Sequence, residues 1–152
     1  MGKARTNRPP ADKRDPGREK WLVRITRLVD QVEAWATELG WATRRIDKRM
    51  DDSDAGSYLA PGLLLQKEFT RVLLEPMGRS ASGSGGVADL YLMPAYDNIA
   101  RFFFRDKKWL VQHMYPGSPD TGNITDALRK PLDKGTFRGV LEQMTRYAEQ
   151  IR

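Results

Sequence analysis

Residues 87–114 read VADLYLMPAYDNIARFFFRDKKWLVQHM, and the fold turns on how this stretch is read. Three runs rich in apolar and aromatic residues, Val87–Met93, Ile99–Arg105 and Lys108–Met114, are parted by turn residues at Pro94–Asn98 and Asp106-Lys107. Runs of that length bounded by Pro, Asn and Asp predict strands joined as neighbours. Working toward the N-terminus, Leu63–Gln66 and Arg71–Met77 are close enough to form a hairpin around Lys67–Thr70. The Ser/Gly-rich stretch Gly78–Gly86 then serves as a flexible connector into Val87. Trp41–Met50 is expected as an edge strand, charged by Arg44, Arg45, Lys48 and Arg49 in a way that discourages edge-to-edge association. The acidic run Asp51–Gly56 and the pair Pro61-Gly62 are expected as loop.

The strands are flanked by two helical patterns. Asp15-Pro16-Gly17 is a helix start: Asp15 can accept from free backbone N–H groups, and Pro16 is tolerated in the first turn. Trp21, Ile25, Leu28, Val32, Trp35 and Leu39 then recur at intervals of four and three, widened by Leu22, Val29 and Ala36 into a stripe suited to lying on a sheet. Gly40 follows as a left-handed terminator. Near the other end, Asp133 caps a helix whose apolar stripe is Phe137, Val140, Leu141, Met144, Ala148 and Ile151. Between Tyr115 and that cap, Asn123–Lys130 reads as one helical turn or a short strand.

The expected fold is α+β: a long N-terminal helix and a shorter C-terminal helix packed on one face of a five- to six-stranded antiparallel meander sheet, its other face open or partly open. Residues 15–152 are expected as one domain, preceded by a disordered basic arm at 1–14. The chain's net charge is +6, of which the first 20 residues carry +4. A basic arm attracts polyanions through salt-sensitive electrostatics, and it also serves as a solubilising tail. No apolar run is long enough to span a bilayer, so no membrane association is expected, and the absence of cysteine fits a cytoplasmic, reducing location.

Chemistry-bearing residues are few. There is no cysteine, and His113 is the single histidine. Metal sites and thiol or Ser/His nucleophiles draw mainly on those two residue types, so no metal and no cofactor is expected. The sharpest cluster comes from pairing Arg71–Met77 with Val87–Met93 symmetrically across the Gly/Ser loop, which sets Met77 opposite Val87, Glu75 opposite Asp89 and Leu73 opposite Tyr91. Opposed carboxylates repel unless a cation or shared proton intervenes, and Arg101 on the next strand is the expected neighbour. The same side chains also suit a solvated salt-bridge ladder on an exposed sheet face. The following strand lacks the second acid and the lysine of a magnesium-dependent nuclease. Asp51, Asp52 and Asp54 lack calcium-loop spacing, and Gly83–Gly86 precedes a strand where a phosphate loop needs a helix.

Two further readings come from the strands themselves. Phe102, Phe103, Phe104 and Trp109 are interleaved with Arg101, Arg105, Lys107 and Lys108, a composition able to stack bases and hold phosphates. Strand alternation sends Phe102 and Phe104 to one face and Phe103 to the other. The leading expectation is a non-enzymatic interaction module that binds a protein or small ligand through the open sheet face, using Glu75, Asp89, Tyr91, Arg101, Phe103 and His113. The alternative is a nucleic-acid-associated protein using the basic arm and Arg44, Arg45, Lys48 and Arg49. A metal-dependent hydrolase built on Glu75 and Asp89 stands third.

Overall fold

The structure is a computed structural model that describes residues 16–52, 56–79, 85–118 and 129–151. The expected arm at 1–14, the Asp15 cap and all of the expected Asn123–Lys130 element but its last two residues lie outside the described residues. Helix α1 (Pro16–Glu38) leads into a meander of β1 (Ala42–Asp52), β2 (Gly56–Lys67), β3 (Thr70–Gly78), β4 (Val87–Leu92), β5 (Ile99–Arg105) and β6 (Lys108–Met114). The two-residue β7 (Lys130–Pro131) and helix α2 (Lys134–Ile151) follow. The strands pair antiparallel in simple chain order, one through seven.

The α+β class and the placement of both helices are as the sequence predicts, but the sheet has seven strands rather than five or six. The additional strand is β7, which holds the β6 edge through Leu110↔Pro131 and Val111↔Lys130. Its two residues carry no period for a sequence pattern to display. Strand β2 also begins earlier than the sequence suggests, because Pro61 and Gly62 lie inside it. Proline is tolerated there since β2 pairs with β3 only from Leu63 onward. Gly62 is needed because a Cβ would meet the Leu74 carbonyl oxygen at 2.8 Å.

Helix α1 ends as a Schellman turn. Gly40 sits at φ +90, with Trp41 N–H donating to Ala36 O at 2.9 Å and Gly40 N–H to Thr37 O at 3.1 Å. Its buried face, Trp21, Ile25, Leu28, Val29, Val32 and Ala36, packs on Leu63, Leu65, Leu74, Leu90 and Phe102 of the sheet. Helix α2 adds Phe137, Leu141 and Met144 to the same core. Its start is fixed by Asp133, whose Oδ1 accepts from the Thr136 N–H at 2.7 Å, and that bond lowers the Asp133 carboxyl pKa. The Trp35 and Phe137 rings, 5.7 Å apart, join the two helices. Among the described residues no helix is long and apolar enough to cross a membrane.

Candidate functional site

Strand register assembles the polar cluster. Leu73 faces Tyr91 and Glu75 faces Asp89, while a shift between Pro76 and Gly78 puts Gly78, not Met77, opposite Val87. Asp89 in turn faces Arg101, and Arg101 faces Gln112, so four polar residues cross four strands in one row. Alternation puts this row on the face away from the helices, since Ala88, Leu90, Ala100 and Phe102 occupy the core.

Asp89 is fully buried, and its neutralisation is local. Arg101 grips it in a fork, Nε to Oδ1 at 2.7 Å and Nη2 to Oδ2 at 2.8 Å, and the Tyr96 hydroxyl donates to Oδ2 as well. The hydrogen bond to Asp89 outweighs burial and raises the Arg101 pKa. Burial, followed by the Asp89 carboxylate, pushes the Tyr96 phenol up to about 12. Glu75 has a separate partner: Lys48 Nζ lies 2.6 Å from Oε2 and donates to the Pro76 carbonyl at 3.0 Å. Burial, then Glu75, raises the Tyr91 pKa, and the Tyr91 ring meets Tyr96 edge-on at 4.6 Å. Each acid therefore has its own cation. Among the described residues no group of three His, Asp or Glu could hold a metal.

Of the remaining expected site residues, Phe103 shares the open face with Arg101 and His113 does not. His113 faces the helices, where its Nε2 is 2.8 Å from Asn98 Oδ1, and Asn98 Nδ2 donates to Gln143 Oε1 at 2.9 Å. That geometry assigns the proton to Nε2, and burial pushes the imidazole down to about 4. Phe103, on the other face, carries the Arg129 guanidinium 3.9 Å from its ring centre. Arg44, Arg45, Lys48 and Arg49 do not share a face. Arg45 reaches back to Asp30 and Glu33 of α1 at 2.7 and 2.6 Å, which raises its pKa, whereas Lys48 points to Glu75.

A second site was only half visible in the sequence. Between α1 and the β5–β6 hairpin lies a groove of about 870 Å³, with Phe104, Trp109, Trp35 and Leu28 among its lining. Lys20, Arg24 and Arg27 reach it from the helix, and Lys107 and Lys108 from the hairpin; Glu19 is the one carboxylate among the described lining residues. The hairpin turn at Asp106 and Lys107 has positive φ at both residues, 54 and 65, which suits a tight connection and carries the lysine pair at its tip. Arg24 is held in place, donating to the Gly85 carbonyl at 2.9 Å with its guanidinium 4.3 Å from the Phe104 ring centre. Phe104 and Trp109 meet edge-on at 5.3 Å. None of Lys20, Arg27, Lys107 and Lys108 pairs with a carboxylate among the described residues. The sequence signal was the spacing 20, 24, 27, which puts three cations on one helical stripe.

Compared with known proteins, the chain matches no family, no curated protein and no solved structure.

Proposed function

We propose that this domain is a non-enzymatic binding module whose ligand is single-stranded nucleic acid, held in the groove between α1 and the β5–β6 hairpin. The observation that carries this reading is the contrast in charge pairing. On the open sheet face Asp89 and Glu75 are matched by Arg101 and Lys48, whereas the groove gathers five cations around three aromatic side chains, with one carboxylate among its described lining residues. Cations without carboxylate partners attract phosphates, and the half-buried rings of Trp35, Phe104 and Trp109 beside them offer bases a stacking surface. A rigid duplex hides its bases and gains only the electrostatic part. Catalysis is disfavoured because both oxygens of Asp89 are committed and His113 spends its proton on Asn98.

The test is fluorescence anisotropy with a labelled oligothymidine and a matched duplex over a salt series. Affinity should fall steeply with salt, exceed that for duplex, and drop about tenfold or more in a Lys107→Glu/Lys108→Glu variant. Affinity that is flat with salt, or unchanged in that variant, overturns the reading.

A second reading, docking of a protein on the open sheet face, is favoured by one observation. Leu64, Leu73, Tyr91, Ile99 and Met114 face one another in register across five strands, each half-buried. Leu73→Lys separates the two: it removes protein docking on that face and leaves oligothymidine affinity intact.

A further inference from the structure

Strand β1 forms one edge of the sheet, and no described strand pairs with its outer side. Such an edge offers a row of backbone donors and acceptors to any extended partner, and its side chains decide which partner is admitted. From Arg44 to Asp52 the strand reads Arg, Arg, Ile, Asp, Lys, Arg, Met, Asp, Asp. The sign of charge inverts about Lys48: Arg44 mirrors Asp52, Arg45 mirrors Asp51, and Asp47 mirrors Arg49, while apolar Ile46 mirrors apolar Met50.

We infer that β1 pairs antiparallel with β1 of a second copy of this chain, about a two-fold axis through Lys48. A symmetric antiparallel pair can place its axis only through a residue, because opposed residues must both direct their backbone groups inward or both outward. Within β1 this leaves a handful of registers, and the charges select among them. An axis through Asp47 sets Arg45 against Arg49, one through Ile46 sets Arg44 against Lys48, and one through Arg49 sets Asp47 against Asp51. The axis through Lys48 alone gives three kinds of opposite-charge pair, each made twice by symmetry. Opposite charges facing across neighbouring strands attract, and like charges there repel.

Its single like pair, Lys48 against Lys48, is already neutralised within each copy, because Glu75 holds the Lys48 ammonium at 2.6 Å. The central pair is the strongest part of the argument. Asp47 is exposed, and the Arg49 side chain is 75% exposed, its Nε 3.9 Å from Asp51 and its Nη2 donating to the Ser57 hydroxyl at 3.3 Å, so both stand at the surface within reach of a facing strand. The outer pairs use Arg45, which already spans Asp30 and Glu33, and Asp52, which Arg79 holds, so they add less. The charged edge that repels unrelated strands is thus complementary to itself.

Sedimentation equilibrium on the full chain tests this. The wild type should form a concentration-dependent dimer. Asp47→Arg, which replaces two attractive pairs by two Arg–Arg pairs, should weaken association about tenfold or more. Asp47→Arg/Arg49→Asp has the net charge and composition of the wild type and restores the complementarity, so it should dimerise again. A wild type that stays monomeric at every concentration overturns the inference, as does a dimer indifferent to Asp47→Arg or one the double exchange fails to rescue. Circular dichroism of each variant separates lost pairing from lost fold.

Discussion

The chain's single histidine makes its buried polar network unusually accessible to measurement. His113 donates through Nε2 to Asn98, which is fully buried and bonded to Gln143 of α2, so a second proton on the ring would place a charge in an enclosed site. Burial lowers its pKa from 6.5 to about 4. In the unfolded chain the imidazole takes up its proton as pH falls through 6.5, whereas the folded protein resists until about 4. The stabilisation is therefore fully present above pH 6.5 and is lost progressively as pH falls toward 4. At 1.36 kcal/mol per pKa unit the loss reaches about 3 kcal/mol. Urea unfolding of the wild type and of His113→Gln across this range isolates the effect, because the carboxylates contribute equally to both and cancel in the difference. The stability difference should shrink by about 2–3 kcal/mol between pH 7 and pH 4.5. The imidazole NMR signal, unique in the chain, gives the folded pKa directly. A pKa near 6.5, or a difference that does not change with pH, refutes the reasoning.

Other substitutions probe the packing. Leu28→Ala should cost about 2–5 kcal/mol in denaturant unfolding, because Leu28 is 3% exposed between α1 and the sheet; a loss below about 0.5 kcal/mol would mean the stripe is not core. Gly86→Ala should destabilise by about 1–3 kcal/mol, since its Cβ would lie 2.6 Å from the Trp21 ring, and an unchanged midpoint would contradict that contact. Gly139→Ala on α2, where a Cβ meets nothing within 4 Å, should instead raise stability by about 0.5–1 kcal/mol, measured by the same unfolding curve. Asp89→Asn should cost about 1–3 kcal/mol, less than for a fully buried ion pair because Arg101 is 36% exposed and can rehydrate; no loss would show the fork to be dispensable.

The sequence by itself determined those features whose causes are local. The four-and-three spacing from Trp21 made α1 a sheet-packing helix, Asp133 marked the start of α2, and turn residues at Pro94–Asn98 and Asp106-Lys107 cut the meander into strands. Even the opposition of Glu75, Asp89 and Arg101 was legible, because one connecting loop and one tight turn leave few ways to pair three consecutive strands. The placement of the helices on the sheet and of strands beside one another decided the rest. Nothing in the run Arg44–Arg49 says that Arg45 turns back to α1 while Lys48 crosses to Glu75 on β3, and both pairings depend on how β1 and β2 lie over elements about 12 to 27 residues away. The groove is likewise invisible until α1 is set beside the β5–β6 hairpin, since its cations come from segments some 80 residues apart. Local periodicity fixes which face each side chain occupies; only tertiary packing fixes which charges meet and which are left for a ligand.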